Sequence, residues 1–459
     1  MGEKSFDGGA SSYCARCRRR LCRHHGTPGL AGRRISIGGG CLLWLCGVAL
    51  LFSFPQAVWA QQPDGDRAFQ VNSYTTSGQE DPSVAMDSEG NFVVVWTSGG
   101  QDGDGGGIYA QRFNRRGFPV FSEFLVNTYT VTSQIIADVA MTADGSFVVV
   151  WDSWSGQDGS SDGVFGQRFG ADGSTSGSEF HVNTYTTFSQ SRPAVAMDAA
   201  GDFVVTWDSY YQDGQYFGVY AQRYDRDGNP QGGEFRVSDG TLGTQDQPDV
   251  AMAPDGSFVV VWRDGAYTNV TDILGKRYDT GGAPLGGDFQ VNTYTTGPQY
   301  QPTLAMDADG DFVVAWSSDS QDGNSVGIIA QRFNADASPD GTEFVVNSHT
   351  TSSQSYPSAA MTPSGSFVVV WNSSGQDGDG LGIFGASFHH TGDALGQEFR
   401  VNNHTAGRQS HASVAAGDNN GFVVVWADGS FTSAGLDGSE EGVLGRVFKA
   451  FAWLLFFHL

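Results

Sequence analysis

A strand core reading FVVVW, or a close variant of it, ends at Trp96, Trp151, Trp207, Trp262, Trp316, Trp371 and Trp426, at steps of 55, 56, 55, 54, 55 and 55 residues. Six near-equal steps between seven copies mean one repeated structural unit, and a unit this short buries its apolar residues only by stacking on its neighbours. Other positions keep the same register. Met86, Met141, Met197, Met252, Met306 and Met361 recur on the segment before the core, with Ala416 in the seventh copy. A glutamine precedes them at Gln79, Gln134, Gln190, Gln245, Gln299, Gln354 and Gln409.

The consensus unit reads SVAMDADGDFVVVW, SSGQDGxGxGIYAQRF, NADGxPxGxEFxVN and TYTTxxQxxP. It holds four β-rich runs divided by turn chemistry, with Asp-Gly steps that tolerate the positive φ of tight hairpins. Each unit is expected to be a four-stranded antiparallel meander, apolar on both faces because it packs on both sides. Repeated four-stranded sheets are the propeller pattern. The expected fold is therefore all-β, a seven-bladed β-propeller. The chain ends favour a closed ring over an open stack. The seventh core is followed only by a third strand, GVLGRVF, ending at Phe448, while a spare fourth strand, AFQVN, stands at residues 68–72. A ring in which the N-terminal strand completes the last blade uses both leftovers and hides two sheet edges.

The motif VAMDxxGxFVVVWxSxxQDGxxxGIYAQRFxxxGxxxGxEFxVNTYTT resembles a tandem repeat of secreted or surface proteins of bacteria, over residues 67–448. Those proteins are often long and multidomain, with calcium-binding or adhesive modules. The resemblance implies an extracellular propeller and leaves its ligand open. More distantly the pattern is similar to integrin-type FG-GAP and sialidase-like propellers, although most copies lack a full calcium loop.

Residues 1–60 read as a signal peptide, or an N-terminal anchor, with an extended basic region: Arg16, Arg18, Arg19, Arg20, Arg23, Arg33 and Arg34 precede the run CLLWLCGVALLFSF, and AVWA precedes Gln61. Residues 61–448 are the propeller, and 449–459 form an apolar tail too short to span a bilayer. All five cysteines (Cys14, Cys17, Cys22, Cys41, Cys46) precede residue 47, so disulfides are not expected to hold the mature fold. Without residues 1–60 the chain keeps 17 of its 25 Lys and Arg and 48 of its 50 Asp and Glu, a net charge of −31. Such acidity repels phosphate backbones, which excludes nucleic acid as a partner. Membrane contact is expected only through a retained N-terminal segment or the tail, and the ring is expected to be a monomer.

In a meander, alternate connections share one end, so the QDG loops and the TYTT loops fall on a single loop-rich face. Its acids, Asp102, Asp104, Asp158, Asp213, Asp322, Asp377 and Asp379, have two readings: calcium ligands, because hard cations want several oxygens, or tight-turn residues. DADGD (Asp307, Asp309, Asp311) looks like part of a calcium loop, yet a hairpin turn explains all seven copies. Tyr74, Tyr129, Tyr185 and Tyr294, with His349 and His404 in the same position of later copies, are candidate ligand-binding residues: aromatic rings beside Asp, Asn and Gln suit glycans, against the alternative of inter-blade packing. His349, His404 and His411 also raise a transition-metal site. His389 and His390 belong to a turn at the opposite end. Arg112, Arg168, Arg223, Arg277 and Arg332 recur on the third strand, which suggests a polar pair or an edge contact rather than catalysis. Copy four departs from the repeat with Arg263, Asp264, Thr268 and Asn269.

No His-Glu-x-x-His or phosphate loop is present. The leading expectation is a non-enzymatic extracellular recognition or adhesion module that binds glycan or protein. A calcium-stabilised structural surface protein and a polysaccharide hydrolase or lyase are the alternatives.

Overall fold

The computed structural model describes residues 67–265, 270–417, 421–429 and 441–449, all within one compact unit, Ala60–Leu459. The proposed export segment, Thr268, Asn269 and the apolar residues 450–459 lie outside the described residues. Among the described residues every regular element is a β-strand.

Blade one is Gln79–Met86, Phe92–Gly99, Gly106–Phe113 and Pro119–Leu125, each antiparallel to the next. Five blades are separate four-stranded sheets, and blades six and seven are linked by one parallel bridge between Leu381 and Arg408. The fourth strand shrinks to two residues in the other blades, as in Phe180–His181 and Phe399–Arg400. Blade seven is closed by the N-terminus: Phe69–Gln70 pairs with Gly442–Phe448 in the register Phe69 to Gly445. Val71 N donates to Val443 O at 2.9 Å, and Val443 N donates to Asn72 Oδ1 at 2.8 Å. A Cβ on Gly445 would stand 2.7 Å from the Phe69 ring, so glycine is what lets the closing strand seat. The ring expected from the leftover strands is the ring observed.

The FVVVW strand is second in every blade and is buried on both faces, which is why it reads as a continuous apolar run. Each tryptophan is wholly buried and wedges into the preceding blade: Trp151 packs on Val93, Val95, Ile108 and Ala110 of blade one. Trp96 completes the circle against Val423, Val425 and Val443 of blade seven. The core is thus seven interlocking clusters between blades.

First strands touch first strands around the whole ring and form its inner wall. The turns between first and second strands define a hairpin end. There Asp87 Oδ1 accepts the amides of Glu89 and Asn91, and Asp307 Oδ1 accepts those of Asp309 and Asp311. DADGD is a capped hairpin turn. The QDG loops and the inter-blade loops gather at the other, loop end.

Candidate functional site

At the loop end the repeated residues are occupied with holding blades together. The recurrent glutamine is fully buried in every blade but blade four, where Gln245 is 1% exposed. In blades one and five its Oε1 accepts the blade's own Trp Nε1, from Trp96 to Gln79 at 3.0 Å and from Trp316 to Gln299 at 2.9 Å, and Gln299 Nε2 donates to Gly297 O at 3.2 Å. The Asn of the VN step bridges the loop to the third strand: Asn127 Oδ1 accepts Ile108 N at 2.7 Å and its Nδ2 donates to Tyr129 O at 2.8 Å. The same carbonyl contact recurs at Tyr74, Tyr185, Tyr294, His349 and His404. These six candidate ligand residues are all half-buried and their backbones are part of the blade closure.

The candidate metal acids cap amides. Asp102, Asp158, Asp213, Asp322 and Asp377 accept, through Oδ1, the amide two residues ahead. Asp104 and Asp379 each reach across to the next inter-blade loop, at Thr132 N and Gly407 N. Among the described residues no three His, Cys, Asp or Glu side chains are grouped to hold a metal ion. His404 Nδ1 lies 3.8 Å from Asp428 Oδ1, and His411 Nδ1 lies 3.5 Å from Asp81 Oδ1, so the two histidines have separate partners.

One inter-blade latch escaped the sequence reading. Glu343 Oε1 accepts Gln321 Nε2 of the QDG loop at 2.7 Å, and its Oε2 accepts Thr293 N of the preceding blade's loop at 2.8 Å. Glu123, Glu179, Glu234 and Glu398 repeat it. Recurrence of Glu before the fourth-strand Phe was the available signal.

The unrepeated chemistry lies on the inner wall. Each first strand carries a bulge, where pairing skips from Glu80 to Ser83 in blade one and equivalently in the other six. The first bulge residue has a φ of 49 to 55° in every blade, and none is glycine: Asp81, Ile136, Arg192, Gln247, Gln301, Tyr356 and His411. Left-handed backbone is costly for side-chain-bearing residues, above all for β-branched Ile136, and such strain clusters at functional sites. Proline follows in five blades (Pro82, Pro193, Pro248, Pro302, Pro357), where a bulge needs no ladder donor.

These side chains interact around the rim. The rings of Tyr356 and His411 meet edge-on, 5.5 Å between centroids, and His411 faces Asp81. Tyr356 N donates to Gln301 Oε1 at 3.1 Å, and Gln301 N donates to Gln247 Oε1 at 2.8 Å. Arg192 Nη1 lies 2.9 Å from Asp208 Oδ2 and 3.6 Å from Asp246 Oδ2, and Arg263 holds Asp246 through Nε and Nη2. The Asp208 side chain is 0% exposed, and burial, opposed by Arg192, pushes its pKa up to about 8. Burial likewise raises Asp152. Deeper in the channel, burial and the neighbouring charge of Asp138 raise Asp249 to about 7.

Beside Arg192, blade three carries an aromatic group without counterpart among the described residues of the other blades. Phe188 and Tyr211 are 5.9 Å apart, Tyr210 and Tyr211 4.6 Å, and Tyr210 and Phe217 5.0 Å.

No family model matches this sequence, and no curated protein matches it. Solved structures do. The polysaccharide lyase Uly1 is 10% identical, with 83% of this chain and 92% of that one covered and a TM-score of 0.51. A protein of unknown function from Dyadobacter fermentans DSM 18053 is 11% identical, covering 84% and 98%, with a TM-score of 0.50. An α-L-arabinanase from Penicillium chrysogenum is 14% identical, covering 83% and 98%, at 0.46. The likeness establishes the propeller. It also corrects the expectation of a non-enzymatic recognition or adhesion module, because Uly1, the neighbour of named activity at a TM-score above 0.5, is a polysaccharide lyase.

Proposed function

We propose that the chain is an extracytoplasmic polysaccharide-degrading enzyme that works at the loop-end mouth of its central channel. The observation that carries this reading is the contact series Asp81, His411, Tyr356, three proton-moving side chains fixed on left-handed backbone at the one ring whose chemistry changes from blade to blade. Polysaccharide cleavage needs a base and an acid at one bond, each held in place by its neighbours.

Elimination is the reaction these groups fit best. With Asp81 facing Nδ1 of His411, the other ring nitrogen is left to take a proton from the carbon beside a uronate carboxyl. As the carbon–carbon double bond forms, the glycosidic C–O bond breaks, and the Tyr356 hydroxyl protonates the leaving oxygen. Arg192, half-exposed on the same rim, is a cation that a uronate carboxylate further along the chain could meet.

A screen of the full chain on uronate and neutral polysaccharides tests this. Ultraviolet absorbance of an unsaturated end group, lost in His411→Ala and Tyr356→Phe, is the expected outcome. Release of saturated reducing ends alone would assign hydrolysis instead, and no cleavage of any polymer would refute the reading.

A further inference from the structure

We infer that blade three carries a sugar-binding subsite for the same polysaccharide chain, formed by Phe188, Tyr211 and Tyr216 next to the channel mouth; this rests on the mouth being the cleavage site. The positions themselves argue for it. Where blade three has Phe188, the other blades have Ser77, Thr132, Gly243, Gly297, Ser352 and Gly407. Where it has Tyr211, blades one, two, five and six have Gly100, Gly156, Ser320 and Gly375, and where it has Tyr216 they have Gly105, Ser161, Ser325 and Gly380. Small residues belong there because the backbone is left-handed: φ is 65° at Phe188 and 60° at Tyr211. Bulky aromatic side chains are therefore held at a conformational cost, in a loop whose fold glycine or serine serves equally well.

They are also not buried in compensation. Phe188, Tyr211 and Tyr216 are 48%, 41% and 43% exposed, and Trp154 of the adjoining loop is 47% exposed. Tyr211 contacts both Phe188 and Tyr216, and Tyr210 with Phe217 supports the group. Exposed rings with hydroxyl tips match the apolar face and hydroxyl rim of a pyranose.

Continuity selects the occupant. Phe188 leads through Ser189 and Gln190 to Arg192, and Tyr210 is two residues beyond Asp208, the partner of Arg192. A chain threaded at the mouth thus passes over this group one or more sugars away. A second copy of this protein is disfavoured, since the chain carries a formal net charge of −25.

Affinity electrophoresis of the full chain in gels containing alginate, pectate, xylan or β-glucan tests the subsite, with the variants Phe188→Ser, Tyr211→Gly and Tyr216→Ser. These restore the residues of the other blades, so melting temperature should hold or rise. At least a tenfold loss of affinity for the polymer, with cleavage of the shortest oligosaccharide substrate unchanged, is the expected result. Unaltered retardation of all three variants, no retardation of the parent protein, or a dimer that these changes dissociate without affecting retardation would each overturn the subsite. His411→Ala separates the two readings: cleavage that persists in it removes the proposed mouth chemistry, while retardation that depends on blade three stands by itself.

Discussion

At the hairpin end of the ring, blades one to five all do the same thing. Arg112, Arg168, Arg223, Arg277 and Arg332 leave the third strand and donate to a turn carbonyl of the next blade, as in Arg277 Nη1 to Ala335 O at 2.6 Å. Blade six has Ser387 in that position, and blade seven Val447. At the mouth of the channel the backbone is the more strictly repeated feature, a left-handed bulge in every blade, yet its side chains run through acid, aliphatic, cation, amide, phenol and imidazole. The comparison separates two uses of a repeat. Where residue and contact recur together the residue is scaffold. Where a strained backbone recurs under changing side chains, the scaffold is presenting them.

The comparison breaks first on activity. His411→Ala should lower turnover by roughly 10²–10⁴-fold, whereas Arg277→Ala at the other end should leave it unchanged. Equal losses would mean that the two ends do not differ in function. Next in size is the shared support beneath the mouth. Gln299→Ala strands Trp316 Nε1 and the Gly297 carbonyl and should cost about 1–3 kcal/mol in urea unfolding. A negligible cost would show that the buried amide is not a structural part of the mouth.

Titration sharpens the picture further. Asp208 and Asp249 have pKa values of about 8 and about 7 in the folded chain, above their unfolded values. The unfolded state then gives up these protons first, so their contribution is fully present near pH 4 and is lost as pH rises through 7 and 8. Melting temperature should fall over that window, and Asp208→Asn should flatten the fall; a parent protein whose stability rises from pH 5 to 8 would contradict the two raised carboxyls. Ile136→Gly should gain about 1 kcal/mol by releasing the left-handed strain, and a clear loss would show that Ile136 is held by packing instead. Smallest is Arg277→Ala, expected to cost less than about 1 kcal/mol because the contact is exposed.

Much of the scaffold was legible from periodicity, and much of the proposed site was not. The tyrosines and QDG acids stand out because they recur, and each also has a structural contact: Asn127 binds the Tyr129 carbonyl, and Asp213 caps Gln215 N. The mouth had a fainter sequence signal. In QEDP, QSRP, QDQP, QYQP and QSYP a changing residue stands between the fixed Gln and a Pro. That spacing identifies a variable position without saying which way its side chain points.

By itself the sequence determined seven four-stranded units, their apolar second strands and the pairing of the first strand with the last, because alternation, turn residues and strand count are local or additive properties. Only the tertiary structure decided that positions 81, 136, 192, 247, 301, 356 and 411 form one rim and that Phe188, Tyr211 and Tyr216 form one group. Side-chain direction at a bulge depends on a φ sign and on a two-against-one strand pairing, and neither exists until the neighbouring strand is in place.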